Sequence, residues 1–194
     1  MSDNALTTAP AAGRAASAGR PGGNGPDVPE NGQYLTFNLG GEMFAIGILS
    51  IKEIIEYGQL TTVPMMPVYV RGVINLRGAV VPVLDLQARF GRDSSAVGKR
   101  TCIVIVEVRD AQAESQIIGV VVDSVSEVID IAAADVEPAP TFGTRIRGEF
   151  IRGMGKVRGK FVILLDVDRA LSFDEMHELR TAQEVALEIG RAHV

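Results

Sequence analysis

Two stretches of the chain, RGVINLRGAVVPVLDL from Arg71 to Leu86 and RGMGKVRGKFVILLDV from Arg152 to Val167, superpose at a constant offset of 81 residues. Arg71 falls on Arg152, Gly72 on Gly153, Arg77 and Gly78 on Arg158 and Gly159, Leu84 on Leu165 and Asp85 on Asp166. Upstream, AIGILSIKEIIE from Ala45 lies over GVVVDSVSEVID from Gly119 at an offset of 74, which pairs Ser50 with Ser124 and Glu53 with Glu127. The blocks keep their order, so a unit of about seventy residues is duplicated, rich in short strands broken by Gly and Pro turns, the pattern of small β-barrels. One such unit alone has a marginal core. Docking of the two copies would bury more apolar surface, and the seam between them is the expected place for a binding groove.

Within the first block, Val73–Leu76 and Ala79–Leu84 read as a hairpin turning at Arg77 and Gly78. Pro82 removes a ladder donor, which places it at an edge or a bulge. Asp85 precedes the short run Leu86–Phe90 as a helix cap. Asp166, its repeat equivalent, follows the same rule, so the two carboxylates do not form a catalytic pair. Outward from the block, Leu35, Phe37 and Leu39 alternate with polar residues in a strand from Gln33 to Leu39. Gly40 and Gly41 turn the chain into a returning strand from Glu42 to Gly47. The next residues, Ile48 to Ile55, fit a helical turn or a further strand equally well. Pro67 is placed to begin a helical turn through Val70 that Gly72 stops. Thr101–Val108 is a strand of high β propensity.

The termini read differently. Residues 1–31 offer only Met1, Leu6 and Val28 as large aliphatic side chains, too few to offset the entropy of ordering, and read as a flexible tail. Ser172 and Glu175 have capping-box spacing ahead of an amphipathic run with Met176, Leu179, Ala186 and Ile189 on one side, which predicts a C-terminal helix over about 173–189. The chain thus divides into the tail, a first barrel over about 45–100 and a second over about 101–168, with exchange of terminal segments between the barrels left open.

Composition narrows the function. Aromatic residues make up 5%, Trp is absent and the formal charge is −5, against the basic, aromatic surfaces that nucleic acids require. Cys102 is the one cysteine, so an internal disulfide is excluded. No secretory signal and no apolar run of about 20 residues is present, which reads as a soluble, cytoplasmic protein without membrane insertion. His177 and His193 have no neighbours at metal-ligand spacing, no GxSxG elbow occurs, and the glycines of RGMGKVRGK lack the phosphate-loop pattern. Neither catalytic chemistry nor a cofactor is expected, which leaves binding.

From Gln33 to about Glu184 the chain resembles the CheW family, in YLTFNLGGEMFAIGILSIKEIIE, in VYVRGVINLRGAVVPVLDL with its NLRG segment, in IIGVVVDSVSEVIDI and in the downstream VEPAP. The resemblance implies a mainly β domain over 32–190, made of two pseudo-symmetric five-stranded SH3-like barrels with short helical turns and the C-terminal helix. It implies a non-enzymatic adaptor that couples the cytoplasmic tips of methyl-accepting chemoreceptors to the regulatory domain of the histidine kinase CheA, through contacts that can close into rings. Ile51 and Val125 fall where the family lines its receptor groove, with Cys102 and Val128 nearby; plain core packing is the competing account of each. Asn75, Leu76, Arg77 and Gly78 match the family motif, Glu53 lies at a position associated with partner contact, and Arg77 could instead serve only the turn. A CheW-like scaffold of a type IV pilus or other non-flagellar pathway is the rival reading, and an enzyme with an unrecognised site a more distant one.

Overall fold

The computed structural model describes residues 31–109, 112–140 and 146–172. It is mainly β. The strands are β1 Asn31–Leu39, β2 Glu42–Gly47, β3 Ile51–Glu56, β4 Val70–Leu76, β5 Ala79–Asp85, β6 Cys102–Arg109, β7 Ser115–Val122, β8 Ser124–Ala132, β9 Val136–Glu137, β10 Ile151–Val157 and β11 Lys160–Leu165. Two short helices follow the repeat hairpins, α1 Leu86–Arg89 and α2 Val167–Ala170. The expected C-terminal helix and the N-terminal tail up to residue 30 lie outside the described residues.

One sheet has the order β3-β6-β7-β5-β4 and the other β8-β1-β2-β11-β10-β9. Strand for strand these are the same arrangement. In each, three strands run as antiparallel neighbours, the third pairs parallel with the second strand of a repeat hairpin, and that hairpin completes an SH3-like barrel. The added β9 lies against β10 as Thr61 lies against Val73 of β4. The barrels therefore do not divide near residue 100. β6 and β7 belong to the first barrel with β3 to β5, and the second is built from β8, β10 and β11 together with β1 and β2 from the other end of the chain. The repeated blocks locate the hairpins but carry no signal of which central strand pair each hairpin joins.

The ambiguity after Gly47 resolves into both forms, a 3-10 turn over Ile48–Ser50 followed by β3. At Pro67 the structure differs from the expected helical turn. Val70 N–H donates to the Pro67 carbonyl at 2.9 Å, a single turn, and the chain then enters β4 directly. Gly72 does not stop a helix but lies inside β4 at a register shift, as Gly153 does in β10. A Cβ on Gly72 would stand 2.5 Å from the Thr61 carbonyl oxygen, and one on Gly153 would stand 2.9 Å from that of Glu137. The neighbouring backbone comes too close for a side chain. Pro82 is not on an edge strand, since β5 lies between β7 and β4; pairing with β7 begins only at Val83, one residue later, so the missing N–H falls on the unpaired stretch.

The largest apolar cluster lies between the barrels. Leu35, Phe37, Leu39, Phe44 and Ile46 from β1 and β2 meet Val104, Val106, Val108, Ile118, Val120 and Val122 from β6 and β7. Each barrel also has a smaller core of its own, around Ile103, Ile105 and Val83 in the first and around Tyr34, Ile131 and Leu164 in the second. Phe90, at the end of α1, stacks 6.0 Å from Phe44 and lies 6.1 Å from Phe150, so an aromatic of the first barrel is wedged between two of the second. Alternating side chains send one face of each central strand into its barrel and the other into the shared cluster, which is why these strands are apolar on both faces.

Candidate partner-binding surfaces

β3 and β8 border the shared cluster from opposite barrels. Ile51 lies opposite Val106 and Ile54 opposite Val104 on β6, while Val125 lies opposite Phe37 and Val128 opposite Leu35 on β1. All four partners belong to the inter-barrel cluster. Ile51 and Val125 are half-buried against it, and Cys102 at the start of β6 joins them. Further out, Ile54 is 43% exposed and Val128 49% exposed. The structure thus forms a repeat-related apolar strip on each barrel. Ile51, Cys102, Val125 and Val128 fall on these strips, and Ile54, which the sequence reading did not single out, joins them at the position that the 74-residue offset places on Val128.

The NLRG residues form a separate surface at the β4–β5 turn. Arg77 and Gly78 both take positive φ, 53° and 86°, the two-residue turn whose twist matches its strands. Asn75 Oδ1 accepts from Gly78 N–H at 2.9 Å and fixes that turn. Leu76 is partly buried and packs against the first barrel's core. Arg77 is 78% exposed along its side chain and pairs with Glu53 of β3 at 2.8 Å. Since β3 and β4 are the two edges of their sheet, the pair spans the barrel's closure.

The second barrel repeats the device, with Arg158 at φ 49° paired to Glu127 of β8 at 3.4 Å. Lys156 replaces Asn75 there, so the turn lacks the amide that fixes the first. Beside Glu53, Lys52 pairs with Glu107 of β6 at 2.8 Å, and hydrogen bonds from Lys52 and Ser115 hold the Glu107 carboxyl below its ordinary value. A pocket of about 650 Å³ opens among Thr36, Met43, Glu127, Arg158 and Phe161, whereas Ile105 occupies the first barrel's core at the position of Thr36.

Among the described residues, no group of His, Cys, Asp and Glu is placed to hold a metal ion, and no helix is long and apolar enough to cross a membrane. The repeat-related carboxylates Asp85 and Asp166 cap α1 and α2. What the two surfaces offer is an apolar strip and a charged turn, both suited to binding other chains.

The CheW-like domain family matches residues 33–175. The chemotaxis protein CheW of Klebsiella aerogenes is 33% identical over 144 residues, covering 74% of this chain and 84% of that protein. Protein FrzA of Myxococcus xanthus is 27% identical over 155 residues, covering 80% and 89%. The crystal structure of the scaffolding protein TtCheW from Thermoanaerobacter tengcongensis superposes with a TM-score of 0.64 at 33% identity, covering 73% of this chain and 88% of that one.

Proposed function

This chain belongs to the CheW-like domain family, and from that membership we propose that it is a non-enzymatic adaptor of a chemotaxis array, joining chemoreceptors to the histidine kinase CheA. The observation that carries the receptor half is the strip on β3 and β8. Ile51, Ile54, Val125 and Val128 are apolar and repeat-related, and they remain accessible beside the inter-barrel cluster. An amphipathic helix laid along the seam would cover them, and recognition of a helix by an apolar groove needs little more. The kinase half is assigned to the turn of Arg77, with Glu53 and Asn75, where a charged group stands on a rigid hairpin. The adaptor acts in the cytoplasm and is recruited to receptor clusters. Ile51, Cys102, Val125, Val128 and the NLRG turn are its contact residues in this reading.

A second reading keeps both surfaces and changes the pathway. The likeness to FrzA spans most of the chain, so similarity is not confined to relatives named for chemotaxis. A scaffold of a non-flagellar chemosensory system would use the same strip and turn with different receptors.

The test is co-sedimentation of the purified chain with receptor cytoplasmic fragments and with CheA. Ile54→Asp and Val128→Asp change exposed positions, so both variants should keep their circular dichroism. Each places a charge that receptor binding would bury unpaired, and receptor affinity should fall at least about tenfold while kinase binding persists. Folded variants with undiminished receptor affinity would remove the strip from the account.

A further inference from the structure

Arg89 closes α1, and its surroundings come from both barrels. Its guanidinium carbon lies 5.2 Å from the centroid of the Tyr69 ring and 4.9 Å from that of Phe150, and its Nε donates to the Ala170 carbonyl at 3.1 Å. Tyr69 and Phe150 are repeat equivalents at the offset of 81, and their carbonyls serve equivalent roles, accepting from Asp85 N–H at 2.7 Å and from Asp166 N–H at 2.9 Å. Arg89 and Ala170 are equivalents too. A residue that touches its own counterpart, and lies over one aromatic from each copy, sits where the pseudo-two-fold axis passes. There the repeat has to break, because two arginines would bring like charges together; the second copy supplies the small Ala170.

We propose that Arg89 is the positioning residue that fixes the angle between the two barrels, and with it the spacing of β3 and β8. The apolar cluster packs the barrels together, and other polar contacts cross the seam, Arg92 to Glu42 at 2.8 Å and the Arg109 amide to Asp168 at 2.8 Å; Arg89 adds a directional contact at the pseudo-axis itself, where both copies meet. A planar cation held between two rings and hydrogen-bonded to a carbonyl admits one arrangement. Lysine cannot replace it, because an ammonium has neither the plane to stack on both rings nor the fork that reaches the carbonyl. The consequence for receptor binding rests on the groove reading above; the consequence for barrel orientation does not.

Residual dipolar couplings of the full chain in solution read the orientation directly. In the wild type, amides of β3–β7 and those of β1, β2, β8, β10 and β11 should fit one alignment tensor. In Arg89→Ala and Arg89→Lys each barrel should still fit a tensor of its own, which shows that it is folded, but the two should no longer coincide. Affinity for a receptor helical hairpin should fall at least fivefold in the same variants. A single shared tensor in both variants overturns the positioning role of Arg89, and if Arg89→Ala fails to fold, Arg89→Lys alone decides. Diverging tensors with unchanged hairpin affinity uphold the positioning role of Arg89 and overturn the groove.

Discussion

Asp85 is fully buried yet ionic, and its partners explain how. It accepts from Arg71 Nε at 3.1 Å and Nη2 at 3.0 Å, from the Ser95 amide at 2.8 Å and hydroxyl at 3.0 Å, and from the Gln87 and Ala88 amides that open α1. Arg71 also reaches the Ser95 carbonyl. Asp166, its equivalent, is partly exposed and caps α2 through the Arg169 amide. Asp85→Asn should therefore cost about 2–3 kcal/mol in urea unfolding, because it removes the buried carboxylate that accepts charge-assisted hydrogen bonds from the partly buried Arg71 and from the Ser95 amide and hydroxyl. Asp166→Asn should cost no more than about 1 kcal/mol, the loss of part of a cap. Equal costs would mean that the network around Asp85 adds nothing to the cap.

Tyr34, inside the second barrel, has the opposite problem. It is 2% exposed, and among the described residues its hydroxyl has no hydrogen-bond partner. Burial pushes its phenol above the ordinary value of 10.0, with Arg152 opposing. The folded chain holds that proton more tightly than the unfolded one, so the stability it contributes is complete below about pH 10 and is lost as pH rises through the folded value. Tyr34→Phe should flatten this alkaline loss in melting curves and be neutral or slightly stabilising at pH 7, since an unpaired buried hydroxyl costs about 1–3 kcal/mol. An unchanged alkaline limb would contradict it.

Among the elements, the hairpin turns carry the most testable difference between the copies. Arg77 and Arg158 share φ sign, exposure and an ion pair within their own barrel. Exposed pairs contribute about 0–1 kcal/mol, so Arg77→Glu and Arg158→Glu should both stay folded with small losses of stability. Only the first turn is fixed by Asn75, and in the proposed assembly only Arg77→Glu should lose co-sedimentation with the kinase, while receptor binding persists. Equal behaviour of the two would show that the NLRG resemblance misled the assignment.

At this scale much was legible in the sequence. The hairpin at Arg77 and Gly78, the cap at Asp85 and the strand pair around Gly40 and Gly41 follow from turn chemistry and alternation, which are local. The long-range choices were not: nothing in β1 and β2 reveals that they complete a barrel whose other strands begin at Ser124, because strand partners are set by packing rather than by spacing. Ile54 was hidden for a different reason. It sits in the run IKEIIE, where one-residue register shifts decide which isoleucine faces out, and β3 carries such a shift between Ile51 and Glu53. Arg89 gave no signal at all, since its partners lie at positions that only the fold brings together.

In the whole molecule, the shared cluster makes the two barrels one cooperative unit. The second barrel is discontinuous in sequence and the first presents Val104, Val106 and Ile118 to it, so neither buries its central strands alone. Amide exchange in β1 and in β6 should therefore report the same global unfolding energy. Ile118→Ala, deep in the cluster, should lower both together by about 2–5 kcal/mol. Loss confined to the first barrel would separate the domains and weaken any account that needs a fixed seam between them.

In the proposed function the receptor helix lies along β3 and β8. Methyl NMR of the labelled chain titrated with a receptor helical hairpin tests it most directly. The methyl signals of Ile51, Ile54, Val125 and Val128 should shift together and saturate with one affinity, while Val80, exposed on β5 next to the β4–β5 turn, stays in place. Saturating shifts around the pocket of the second barrel or the β4–β5 turn, with the four strip residues unmoved, would contradict it.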